Sequence, residues 1–191
     1  MIKSSKNIER VLARKSFPDF LKAMNYKVDT KEWSEVGGVL NIAMNIMKVY
    51  DPEIIFDIGC GKRPTLATLM ALSFKKEVIA IDPQLSNNYA KEIKRLKFYK
   101  DKLVNCNLKY TFNKKVLVLC NHSHVKKKEI KNFLDSFEEW VYLTVPCCVD
   151  NRIDNLISLN YRDMHMHTEK NDIFIYSNNK FNLTKLQNLK G

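Results

Sequence analysis

"EIIFDIGCGKRPTLATLMALSF", residues 53–74, decides the fold. An apolar run ends in an aspartate. Two glycines one residue apart follow, then a basic pair, a proline and an apolar helical stretch. This reads as a strand, a tight ligand-holding loop and a helix. Gly59 and Gly61 let the backbone approach a ligand closely and tolerate positive φ. A dinucleotide fingerprint asks for a third glycine or alanine where Pro64 stands. Asp57 lies two residues before Gly59, where a carboxylate repels a pyrophosphate and attracts a cation. The loop therefore suits a cationic donor better than a diphosphate.

Working outward, strand-like and helix-like segments alternate. "KEVIAID" (76–82) reads as a strand, "NNYAKEIKRLKFY" (87–99) as a basic helix and "KLVNCN" (102–107) as a weak strand. "KKVLVLCN" (114–121) reads as a strong buried strand, "VKKKEIKNFLDSF" (125–137) as a helix and "WVYLTVPCC" (140–148) as another buried strand. "NRIDNLISLN" (151–160) looks helical; "RDMHMHTE" (162–169) and "DIFIYSN" (172–178) look like a hairpin closed by Lys170-Asn171. Apolar runs alternating with helices imply a parallel sheet covered on both faces. The expected fold is α/β: a doubly wound, mainly parallel seven-stranded sheet with a C-terminal antiparallel hairpin. Residues 1–50 read as a helical extension packed on a core domain of residues 51–191. Its longest helix begins near Asp29 or Thr30, and Gly37-Gly38 weakens its middle.

The chain has 191 residues, 45% of them hydrophobic, which fits one domain with a real core. No apolar run reaches the ~20 residues of a membrane span, so no membrane association is expected. The N-terminus has no apolar signal core, and Glu9 counts against a transit peptide. Five cysteines, two of them adjacent, make a poor disulfide framework and suggest a reducing compartment, cytoplasmic or nuclear. The net charge of +11 favours an acidic partner such as nucleic acid; a lysine- and asparagine-rich composition alone is the competing explanation. Oligomeric state is not legible.

"DIGCG" resembles the first motif of class I S-adenosylmethionine-dependent methyltransferases, matching at Asp57, Gly59 and Gly61. That motif's last glycine is Arg63 here, a departure at the donor loop. "VIAIDPQ" resembles the family's second motif, which implies that Asp82 holds the donor ribose. The resemblance spans roughly residues 53–177. It implies S-adenosyl-L-methionine as cofactor, with Asp57, Gly59 and Gly61 around its methionine portion. It also implies adenine-contacting polar residues after the third and fourth strands, with Asn105 and Asn121 as candidates and Cys106 beside the first.

By the same resemblance, "VLCNHSHV" and "TVPCC" end neighbouring strands beside the methyl donor, where the family keeps its acceptor pocket. Three readings of this cluster stay open. His122, helped by Asn121, acts as a general base or substrate partner, for which an ordinary pKa near 6.5 suits it. Alternatively the Cys and His side chains bind zinc, although no CxxC spacing supports that and adjacent cysteines chelate one ion poorly. Or these are ordinary buried strand and polar loop residues. No metal is expected on balance.

Pro-Cys-Cys after the fifth strand is similar to some RNA methyltransferases. The Lys-Asp-Lys-Glu set of cap-type ribose methyltransferases is not evident, because Asn121 and His122 stand in its aspartate's place. Methylation of a ring nitrogen needs no strong base and proceeds by alignment. The expected activity is thus methyl transfer to RNA. Lys62, Arg63, Lys126, Lys127, Pro146 and Cys147 are the candidate substrate contacts, and Lys91, Lys94, Arg95 and Lys97 add basic surface. The alternatives are a non-catalytic RNA- or partner-binding module and a small-molecule methyltransferase. Trp33, Trp140, Phe17 and Phe20 read as core, and His165 and His167 as one face of the late hairpin.

Overall fold

The computed structural model describes residues 6–15, 17–24, 30–86, 93–106, 108, 113–154, 156, 158–178 and 181–187. Helices α1 (Lys6–Leu12), α2 (Phe17–Met24) and α3 (Thr30–Val49) come first. Then follow β1 (Ile54–Ile58), α4 (Thr65–Ser73), β2 (Glu77–Ile81) and β3 (Leu96–Tyr99). β4 (Lys115–Asn121), α5 (Lys127–Leu134) and β5 (Glu139–Val145) continue the alternation. β6 (Ser158–Arg162), β7 (Asp172–Ser177) and α6 (Thr184–Gln187) complete it.

The seven strands form one sheet in the order β3-β2-β1-β4-β5-β7-β6. β1 to β5 pair in parallel. β7 is antiparallel to both β5 and β6. Strand alternation divides the core in two. Ile55, Val78, Leu117 and Val141 face α3 and α4, whereas Phe56, Ile79, Val118 and Tyr142 face α5. On α3, Val36, Val39, Leu40, Ala43 and Ile46 follow helical spacing and are buried against the sheet. Each large side chain in that stripe contributes on the order of 1.5–3 kcal/mol, part of it offset by ordering entropy. Phe17, Phe20 and Trp33 form an aromatic group, with the Phe20 and Trp33 ring centroids 5.2 Å apart, and Trp140 is buried against α5.

Gly37-Gly38 does not interrupt α3. A Cβ on Gly37 would lie 2.5 Å from the Asn7 carbonyl oxygen, and one on Gly38 would lie 2.7 Å from Asp163 Oδ2. The pair is small because α1 and the loop after β6 press on the helix there.

Four sequence expectations are corrected. Residues 96–99 are strand, not the end of a basic helix: β3 is a sheet edge, where Lys97 stays in solvent and reaches Glu77 at 3.0 Å. Residues 87–92 of that expected helix, Lys91 included, lie outside the described residues, as does Asp29. The expected strand at 102–107 is a 3₁₀ turn at Leu103–Asn105. The helix-like 151–160 segment runs instead into edge strand β6, whose alternating exposure lacks the apolar run of a central strand. The hairpin connection is therefore residues 163–171, and His165 and His167 sit in that loop rather than on a strand face.

Candidate active site

β1 and β2 lie in parallel register, with Ile58 opposite Ile81. The glycine loop and Asp82 therefore leave the sheet side by side. Gly59 N donates to the Ile81 carbonyl at 2.8 Å. Gly59 (φ 69°) and Gly61 (φ 73°) both take the left-handed conformation. A Cβ on Gly59 would lie 2.0 Å from Ser123 Oγ, so the loops after β1 and β4 touch there. A Cβ on Gly61 would meet nothing within 4 Å. Gly61 N donates to Asp82 Oδ2 at 2.9 Å, and Gln84 N donates to Asp82 Oδ1 at 2.7 Å. Each carboxylate oxygen carries two lone pairs, so one on each remains for a ligand hydroxyl.

Two cavities of about 460 and 490 Å³ share Gly59, Gly61 and His122 in their walls. The first holds Glu32, Glu35, Asp57, Lys62, Arg63 and Asn121; the second holds Asp82, Gln84, Asp101, Lys102 and His124. Together they form one cleft over the carboxyl ends of β1, β2 and β4, the usual ligand position in a doubly wound sheet. A separate cavity of about 560 Å³, lined by Arg10, Arg14, Met44 and Leu72 among others, holds none of the sequence-predicted site residues.

Asp57 is 1% exposed, and its Oδ2 accepts from Ala67 N at 3.0 Å in the first turn of α4. Burial pushes its carboxyl up to about 7; the Ala67 N–H opposes this and Asp82 adds to it. A cation placed in the cleft restores the ionised form. Burial, with Asp57 and Asp82 close by, holds the Cys60 thiol well above its ordinary value, so it is no nucleophile.

His122 also takes a left-handed backbone (φ 52°), which turns its ring into the cleft. Its Nε2 lies 3.5 Å from Glu35 Oε1. That carboxylate favours a charged ring, but burial, with Lys31 and Lys170, outweighs it and lowers the imidazole to about 4. The ring is neutral at physiological pH. His122 Nε2 and Asn121 Oδ1 are both buried without a hydrogen-bond partner.

The sequence-predicted residues divide clearly. Asp57, Gly59, Gly61, Lys62, Arg63, Asp82, Asn121, His122 and Lys126 all line the cleft. Asn105 does not: its amide donates to Asp101 Oδ1 at 2.8 Å, and Asp101, Lys102 and Leu103 take the expected place after β3. The Cys106 thiol likewise turns back to the Lys102 carbonyl. Lys127 pairs with Asp154 at 2.9 Å, and Pro146 and Cys147 line neither part of the cleft.

Arg63 has no left-handed φ and its side chain is exposed, so the position does not need glycine. Glu32 and Glu35 were missed. They stand one turn apart at the start of α3, where acidic residues read as ordinary solvated helix surface. Glu32 accepts from the Thr65 hydroxyl, which ties α3 to α4 at the cleft.

No family model and no curated protein matches the chain. Solved structures do resemble it. A variant of MtNAS in complex with S-adenosylmethionine superposes with a TM-score of 0.54 at 12% identity, covering 90% of this chain and 70% of that one. MtNAS in complex with MTA and tNA gives 0.54 at 12% identity, over 91% and 68%. The plantazolicin methyltransferase BpumL in complex with SAH gives 0.47 at 13%, covering 72% of this chain and 56% of that one. The chain thus spans a little over half of the latter protein's length. The protein has the Rossmann-like methyltransferase fold, with its seven-stranded sheet, antiparallel C-terminal hairpin and N-terminal helices. No described helix is long and apolar enough to cross a membrane.

Proposed function

We propose that the protein is an S-adenosylmethionine-dependent methyltransferase. The observation that carries this is the joined cleft around Gly61. Asp82, with lone pairs left on both oxygens, stands at one end; the buried Asp57 and the carboxylates Glu32 and Glu35 stand at the other. A donor with a ribose diol and a cationic amino-acid tail meets both sets of groups. The MtNAS complex with S-adenosylmethionine, on the same fold, supports that choice. The donor supplies an electrophilic methyl group on a sulfonium.

The chain's own residues hold and align. Asp82 takes the ribose hydroxyls, and the open space beside Gly61 admits the donor without a Cβ in the way. Asp57 and the α3 carboxylates receive the cationic tail. Asn121 and His122 face the acceptor, His122 as a neutral ring able to take the proton that the acceptor sheds on in-line transfer.

For the acceptor we infer RNA. The support is the +11 net charge together with exposed Lys62, Arg63 and Lys126 along the cleft walls. A small-molecule amine is the second reading, favoured by Glu32, Glu35 and Asp57 in the first cavity, more carboxylates than the donor's one ammonium group occupies. A labelled-donor assay over RNA, DNA, protein and small-molecule pools tests both. Label in RNA with steep salt dependence supports the first, and salt-insensitive label in amines supports the second. No donor binding by calorimetry at millimolar concentration rejects the enzyme altogether.

A further inference from the structure

The loops after β4 and β5 bring His124 to the adjacent pair Cys147 and Cys148, more than twenty positions further along the chain. His124, Cys147 and Cys148 each place one ligand atom within 4.8 Å of the other two. Cys148 Sγ and His124 Nε2 are 3.2 Å apart. We propose that these three residues bind one thiophilic divalent ion of the zinc class.

The distances suit the ion. Metal–sulfur bonds of about 2.3 Å and metal–nitrogen bonds of about 2.0–2.1 Å at a tetrahedral centre separate S and N by about 3.6 Å, and two sulfurs by about 3.8 Å. The cluster reaches this with shifts of about an ångström or less. The donor types, two thiols and an imidazole, are those zinc prefers. The sequence offers no CxxC spacing, and adjacent cysteines chelate one ion poorly. Here, however, both sulfurs and the imidazole already lie within 4.8 Å of one another, so the adjacent pair converges on one point with His124 from the other loop.

That loop is held in place. Asn151 accepts from the Thr144 hydroxyl at 2.7 Å and donates to the Ser123 carbonyl at 3.5 Å, and all three residues are buried. The Lys170 ammonium donates to the Cys147 carbonyl at 2.6 Å. The ligand backbones are thus braced before any ion arrives.

Binding needs no redox partner. The ion gains two sulfur–metal bonds and one nitrogen–metal bond, and the two thiol protons go to solvent. The fourth position is open to water or to an incoming ligand atom. His124 also lines the donor cleft, so the ion ties the acceptor-side loops together at the cleft edge.

The test uses the full chain without donor, so its outcome does not depend on the methyltransferase reading. Chelator-stripped protein is titrated with Co²⁺, following thiolate-to-cobalt charge-transfer absorbance, and then with Zn²⁺ by native mass spectrometry. The expected result is one ion per chain with a mass deficit of two protons. Cys148→Ser and His124→Ala should each weaken Zn²⁺ at least about tenfold, while Cys106→Ser leaves it unchanged. Melting curves of the metal-free variants confirm that each is folded, both substituted positions being exposed. No stoichiometric binding, or equal affinity in folded Cys148→Ser, overturns the proposal.

Discussion

Gly61 N–H and Asp82 Oδ2 are 21 positions apart in sequence and 2.9 Å apart in space. The bond joins the loops after two neighbouring strands, so one carboxylate both shapes the glycine loop and faces the cleft. Asp82→Asn keeps the size but removes the charge and replaces one acceptor oxygen with a donor. A charge-assisted hydrogen bond contributes about 1.5–3 kcal/mol. The affinity for S-adenosylmethionine or its demethylated product should therefore fall about 10- to 150-fold. Calorimetry on the folded variant checks this, and unchanged affinity would remove Asp82 from the donor site.

The two loop glycines should respond differently to the same substitution. Gly59→Ala meets both the left-handed strain and the Ser123 side chain at 2.0 Å. It should cost about 2–5 kcal/mol of stability, from strain of about 1–2 kcal/mol and overpacking of about 1–3. Gly61→Ala meets strain only, about 1–2 kcal/mol, but its methyl group enters the cleft. It should melt higher than Gly59→Ala and still bind the donor poorly. Thermal melts beside donor titrations separate the two effects.

Asp57 makes donor binding depend on pH. Its folded carboxyl lies up at about 7, above the usual carboxylate value, mainly through burial. The stability this shift confers is fully present below about pH 4 and is lost as pH rises through about 7. A cationic donor prefers the ionised carboxylate, so affinity should rise between about pH 5 and pH 8. Asp57→Asn should flatten that rise and should also remove the stability loss between about pH 4 and pH 7. A pH-independent wild-type affinity would count against any contact between Asp57 and the donor's charge.

These contrasts also show what the sequence could and could not reveal. Asp57, Gly59, Gly61 and Asp82 were legible because a loop between two buried strands fixes its neighbours over a short stretch of chain. The central strands were legible through their continuous Val, Ile and Leu runs. Edge strands β3 and β6 were not, since a half-solvated strand carries polar residues that mimic a helix face. The meeting of His124 with Cys147 and Cys148 was legible from the strand order, because β4 and β5 are neighbours. Glu32 and Glu35 were not, since they reach the cleft by long-range docking of α3, which local periodicity does not encode.

His122 is neutral at physiological pH, with its imidazole lowered to about 4 chiefly by burial. Protonating it on acidification costs the folded state, so stability should fall as pH drops from about 6.5 towards 4. If it takes the acceptor's proton, His122→Asn should lower the rate about 10²- to 10⁴-fold with little change in donor affinity. Asparagine tolerates the left-handed backbone (φ 52°), so the fold should hold. The wild-type rate should show no inflection near pH 6.5. An inflection there that persists in His122→Asn would assign it to another group.

Arg63 stands where the resembling motif has its last glycine, and it gives the sharpest test of that departure. Its backbone is not left-handed and its side chain is exposed at the cleft wall. With a side chain that is exposed and a backbone that is not left-handed, Arg63 is not needed to shape the loop, and Arg63→Gly should leave donor affinity within about twofold of wild type. If Arg63 instead contacts the acceptor's phosphates, the same substitution should weaken RNA binding and make its salt dependence shallower by about one unit of slope. Donor affinity that rises many-fold in Arg63→Gly would mean that the arginine obstructs the loop. Donor affinity held constant while RNA binding weakens would place Arg63 on the acceptor side of the cleft.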